Sequence, residues 1–236
     1  MSFQPLNTIP SDETQLSSKK KIKDWKTIQP KLAGAGAGVW DDVLRDFYFD
    51  RLKTRYLDPI DAVKDMNQRN GEGFAIVAIQ CSLVEFLESC YQGINYEHDE
   101  ATHWWFPECL KHILQGANSR SVARQYTYRS SRKMFISFLT KRAPFNQHFT
   151  TPLAKDFYRS VRCGVLHEAR TKGTWLILAK SESSLIVDRN GPDGPILYRD
   201  DFQDGICTFI DDYRAAVPKD ISLQKAFIRK FEHLCI

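Results

Sequence analysis

The stretch LAKDFYRSVRCGVLHEAR, running from Leu153 to Arg170, decides how this chain reads. At about 100° per residue, Ala154, Phe157, Tyr158, Val161 and Val165 fall in one stripe, the pattern of a helix packed on a core. Thr150-Thr151-Pro152 marks its start and Gly173 its stop. Arg162 lies about 80° from the stripe centre and His167 about 140° to the other side. Both are expected to point away from the core of their own subunit. Arg159, Cys163, Leu166 and Arg170 share that outer region. A leucine there, beside Gly164 with no side chain, suits close contact with another helix, and a two-fold dimer would supply one. Because an i, i+5 pair on a regular helix diverges by about 140°, a dimer cleft is the expected way to bring arginine and histidine together.

Working outward, most of the chain carries helical periodicity. Val39, Val43, Phe47 and Leu44, Tyr48, Leu52 recur at i+4 and predict a helix up to Tyr56. Pro59 is then expected to open a short helix to about Asn67. Phe74 to Tyr91 is too apolar all round for a surface helix and should be central, with Glu85 and Glu88 the few carboxylates inside it. Trp104-Trp105-Phe106-Pro107 starts a short element ending near Gly116. Ser119 or Ser121 could cap a long helix from about Val122 to Arg142. Trp175 to Ala179 and Leu185 to Val187 read as a β-hairpin, followed by a short strand at Ile196-Leu197-Tyr198. Helices from about Phe202 to Ala216 and from Ile221 complete the pattern. The expected organisation is mainly α: a flexible basic arm over residues 1–23, a helical bundle over 24–172, and a hairpin with C-terminal helices over 173–236 packed on it.

Charge narrows the function. The chain of 236 residues has a net charge of only +4. Yet no Asp or Glu occurs between Cys109 and Lys155, while that stretch holds Lys111, Arg120, Arg124, Arg129, Arg132, Lys133, Lys141, Arg142 and Lys155. A solvated helix face normally mixes both signs, so this concentration predicts a polyanion partner, nucleic acid first. No apolar run reaches the roughly 20 residues that span a bilayer, and no signal-peptide core is visible. The six scattered cysteines form no Cys-x-x-Cys pair and read as reduced thiols of a cytoplasmic protein.

The segment Phe157 to Glu168, with Arg162 and His167 spaced as Arg-x4-His late in a helical bundle, resembles the signature of HEPN domains. The resemblance covers about residues 39 to 170. About 0.4 such pairs are expected by chance in a chain of this composition, so its weight comes from the helix, the bundle and the basic stretch around it. The resemblance implies a HEPN-like bundle with a small β-hairpin insertion after the motif helix. It also implies a metal-independent endoribonuclease of a defence or toxin–antitoxin type system, acting as a homodimer, with an antitoxin or regulatory protein as a further partner. Cleavage would proceed by attack of a ribose 2′-OH on the adjacent phosphate, with His167 moving protons and Arg162 gripping the phosphate. Active members often carry Asn, Asp or His after the motif arginine, where this chain has Cys163.

Candidate RNA-binding residues are Arg120, Arg124, Arg129, Arg132, Lys133, Arg159 and Arg170, with Tyr126 and Tyr128 available to stack a base. The alternative is a non-catalytic HEPN-like module that binds RNA or a protein. No cofactor and no metal is expected. Gly34-Ala35-Gly36-Ala37-Gly38 lacks the Walker lysine-serine ending and the dinucleotide spacing. His98, His103, Cys109 and His112 lack a second pair at finger spacing, and their aromatic neighbours suit a core.

Overall fold

The computed structural model describes residues 11–66, 71–97 and 126–235 of the chain, which are mainly helical. Helix α1 is Ile22–Ile28, whose Asp24 carboxylate accepts the Lys21 N–H at 2.8 Å and so satisfies a donor at the helix start. Helix α2 runs unbroken over residues 37–65, with π-turns at Leu44–Phe49 and Lys53–Leu57. Pro59 therefore does not open a separate helix. It falls in the first turn after a π segment, where its missing N–H is tolerated as at a helix start.

Helix α3, Glu72–Gln92, is the expected central helix: Ile76, Val77, Cys81, Leu83, Val84, Leu87 and Cys90 are all buried. It is long and apolar enough to cross a bilayer, yet 56% of its most apolar window is buried inside the protein. Gly93 ends it at φ +64, and a Cβ there would stand 2.5 Å from the Ala226 Cα. Only glycine meets both conditions.

The helix expected from Val122 starts later. Asn95–Tyr96 (β1) pairs in parallel with Thr127–Tyr128 (β2), and helix α4, Ser131–Lys141, comes next with Ser130 as its cap. Thr127 and Tyr128 favour a strand once a partner edge exists. Residues 122–125 and the Trp104 to Gly116 element lie outside the described residues.

Helix α5 covers residues 151–168, with a π-turn at Tyr158–Arg162 between α-helical Thr151–Phe157 and Cys163–Glu168. It carries the motif. Beyond it lie β3 (Leu176–Leu178), β4 (Val187–Asp188) and β5 (Ile196–Tyr198), in sheet order β3-β5-β4. The expected pairing of the first two strands is therefore corrected. β5 lies between them, parallel to β3 and antiparallel to β4. The turn-rich Asn190 to Pro195 connection closes the β4–β5 hairpin, so the turn signal belongs to that pair.

Helices α6 (Arg199–Ala216) and α7 (Ile221–His233) are part of one core with the rest. Phe202 packs on both Phe145 and Phe157, and Phe209 on Phe138. Phe227 and Phe231 enclose Trp25. The flexible-arm expectation is also corrected for the described part of that segment. Leu16 is 2% exposed in the core, and Asp50 accepts bonds from the Ser18 hydroxyl and amide at 2.6 and 2.7 Å. Burying one leucine and anchoring Ser18 fixes a segment that its composition alone marks as mobile.

Candidate functional site

Arg162 ends the π-turn of α5 and turns toward α3. Its side chain is 18% exposed, with Nη2 3.8 Å from Glu85 Oε2 and the guanidinium carbon 5.3 Å from the centre of the Tyr158 ring. Glu85 also accepts a 3.0 Å hydrogen bond from the Tyr128 hydroxyl of β2. The expectation that Arg162 points away from its own core is therefore wrong. A π-turn adds a residue to one helical turn and rotates the residues beyond it. Here Ser160 as well as Val161 is buried, and Arg162 falls on the flank facing α3. Burial pushes the Tyr158 hydroxyl above the usual tyrosine range, with Arg162 opposing the shift. Burial likewise pushes the Cys81 thiol, one turn from Glu85, up to about 12, which leaves it no thiolate character at neutral pH.

His167 lies in the last turn of α5 and is exposed, beside Leu166 at 41% exposure. Among the described residues no hydrogen bond, ion pair or ring contact joins it to Arg162. One chain thus leaves the arginine half-buried between Glu85 and Tyr158 and the histidine on the outside.

The end of this helix is tightly folded back. Ala169 takes a left-handed φ of +54, the Lys172 N–H donates to Ser160 O at 2.7 Å, and the Arg170 N–H reaches Gly164 O at 3.4 Å. A Cβ on Gly164 would stand 2.5 Å from Arg170 O. The motif glycine thus serves this return of the chain within one subunit. Trp175 locks the return further: its indole N–H donates to Asp156 Oδ2 at 2.7 Å, and its ring meets Phe157 edge-on.

The basic residues separate into two groups. Arg142 is spent internally, forking onto the fully buried Glu88 with Nε–Oε2 2.9 Å and Nη2–Oε1 3.1 Å. Arg129 pairs with Glu97 at 3.3 Å, and Arg170 with Glu168 at 3.5 Å. Arg132, Lys133 and Lys155 are exposed. Arg132, Lys155 and Arg159 line a shallow groove with Pro152 and Asp156, and Asp156 pairs with Arg159 at 2.8 Å. The tyrosines are engaged: Arg229 lies 4.2 Å over the Tyr126 ring, and Tyr128 is held by Glu85. Arg120, Arg124 and the His98 to His112 cluster lie outside the described residues. No group of three His, Cys, Asp or Glu suited to a metal occurs among the described residues.

Glu85 and Asp156 are the neighbours of Arg162 and Arg159 that residue spacing missed. A signal for the first exists, since a carboxylate inside an apolar helix requires a donor or a cation. Comparison with protein families, curated proteins and solved structures gives no match to this chain.

Proposed function

We propose that this chain is a HEPN-type endoribonuclease that cleaves RNA without a metal, as a two-fold homodimer with Arg162 and His167 at the shared cleft. One observation carries the reading. An arginine oriented by Glu85 and Tyr158 lies five residues before an exposed histidine, on a helix end that also presents an exposed leucine. Orientation matters because a preorganised cation stabilises charge developing on a phosphate without reorganising. In the proposed step one His167 takes the proton from a ribose 2′-OH, whose oxygen attacks the adjacent phosphorus. The 5′ oxygen leaves and receives a proton from the second, protonated His167. The products are a 2′,3′-cyclic phosphate and a 5′-OH, so protons balance over the two histidines. On this reading Arg132, Lys155 and Arg159, which line one groove, hold flanking phosphates, and a regulatory protein covering Leu166 and His167 would silence the site.

The test is cleavage of a defined RNA in EDTA by wild type and His167→Ala. General acid–base catalysis is worth about 10²–10⁴-fold, and a loss of that size is expected. Equal cleavage by both proteins refutes the assignment. The second reading, a non-catalytic RNA-binding module, is favoured by the pairing of Arg162 with Glu85 rather than with His167. Binding of RNA by a dimer that cuts nothing would select it.

A further inference from the structure

Lys230 of α7 is 6% exposed, and its ammonium forms no ion pair or hydrogen bond with the other described residues. A lysine is almost never buried unless it is paired. Its ammonium stands 5.5 Å from the centre of the Phe86 ring, and a second cation, Arg51 of α2, stands 5.6 Å from the same centre. Arg51 forms no ion pair among the described residues either; its described bond is Nη1 to Leu16 O at 2.6 Å. Tyr56 stacks on Phe86 at 6.5 Å and completes an aromatic floor. A ring face attracts a cation, but by less than the hydration lost on burial. Two cations that both face one ring therefore lack a counter-charge among the described residues.

The described groups around them do not supply it. Burial draws the Lys230 ammonium down; Cys90 opposes the shift, Arg51 adds to it, and Glu85 opposes it least. Glu85 is already bonded to Tyr128 and close to Arg162. Burial, with Arg55 adding to it, draws Arg51 down to about 10, which still leaves it charged at neutral pH. Cys90 is itself buried and pushed up to about 12 by burial, so its thiol brings no negative charge.

We propose that Arg51 and Lys230 form a binding site for a dianionic phosphate, as free phosphate or as the terminal phosphomonoester of a nucleotide. The charge count selects the class. A phosphomonoester carries about −1.5 to −2 at pH 7 and matches two cations, whereas each phosphodiester of an RNA chain carries −1. The arginine supplies a planar fork and the lysine a point charge. The site is separate from the proposed cleavage residues and holds whether or not RNA is cut.

The test uses the full chain and reads thermal midpoint and calorimetric binding with inorganic phosphate, with AMP, and with an RNA oligonucleotide lacking a terminal phosphate. At phosphate about 100-fold above its dissociation constant, the midpoint should rise by about 5–10 °C for a chain of this size. Lys230→Arg should keep most of that rise and Lys230→Met should lose it, while unliganded K230M stays at least as stable as wild type because a cation facing the like charge of Arg51 is gone. If K230M fails to fold, R51Q with its weakened phosphate response carries the test. Tighter binding of AMP than of phosphate identifies a nucleotide as the source; equal binding identifies free phosphate. No response in wild type, an undiminished response in K230M, or equal protection by the RNA without a terminal phosphate overturns the proposal.

Discussion

Replacing Arg142 should destabilise the fold severely, because its guanidinium is spent on a buried carboxylate. Glu88 is fully buried, and its two oxygens accept from Arg142 Nε and Nη2, with the Gln92 amide as a further donor. Arg142→Ala leaves that carboxylate without its cation, and breaking a buried pair in this way costs about 3–5 kcal/mol. The guanidinium also lies 3.6 Å over the Tyr91 ring, a contact worth about 0.5–2 kcal/mol. The total, about 3.5–7 kcal/mol, matches the stability of a domain at the lower end of the usual range of about 5–15 kcal/mol. Urea unfolding monitored by circular dichroism should show a midpoint far below wild type. The double variant E88L/R142M removes both charges and should return to within about 2 kcal/mol of wild type, because a buried pair adds little over apolar residues of similar volume. If R142A costs under about 1 kcal/mol, or if the double variant is no better than the single, the buried-pair reasoning fails.

Two further perturbations test the segments that flank the site. Gly164→Ala places a Cβ 2.5 Å from Arg170 O and 3.3 Å from Lys172 N, both backbone atoms that cannot swing aside. It should cost about 3 kcal/mol by overpacking, measured by thermal unfolding; if the proposed nuclease reading holds, it should also displace His167 and reduce RNA cleavage further than stability alone explains. Asp50→Ala removes the acceptor for Ser18 N–H, Ser18 hydroxyl and Lys19 N–H, a loss of about 2 kcal/mol that should speed tryptic cutting at Lys19 to Lys21. Burial raises the Asp50 carboxyl, but the Ser18 hydroxyl and amide and Ser17 outweigh it, leaving it below its ordinary 3.8. A depressed carboxylate stabilises the fold above its unfolded value and ceases to do so as pH falls through the folded one. The gap between wild type and D50A should therefore be constant from pH 7 to about 4.5 and close below pH 3.8; a gap that persists undiminished at pH 2 would contradict the carboxylate's role.

The difference between the legible and the hidden parts of this fold is the difference between periodicity and pairing. Burial periodicity locates α3, α6 and α7 and the apolar stripe Ala154, Phe157, Val161, Val165, because those residues answer only to water. Strand order is another matter: β3 and β4 look like neighbours along the chain, and only the pairing of Ile196–Tyr198 with both of them separates the two. The site is hidden in the same way. A regular helix puts Arg162 on an outer flank, and a local π-turn, which leaves no mark in residue type, brings it to Glu85. Charge counting along the chain errs for a related reason. It assigns the cations of residues 109–155 to an outside partner, yet Arg142 answers Glu88 and Arg129 answers Glu97. The acid-free stretch is acid-free partly because its counter-charges stand on or just after the apolar helix it packs against. Glu85 and Glu88 are legible there as carboxylates in an apolar run, and each draws an arginine from a distant segment. Among the described residues of that stretch, Arg132, Lys133, Lys141 and Lys155 remain exposed, and these are the cations that the proposed reading leaves for a polyanion.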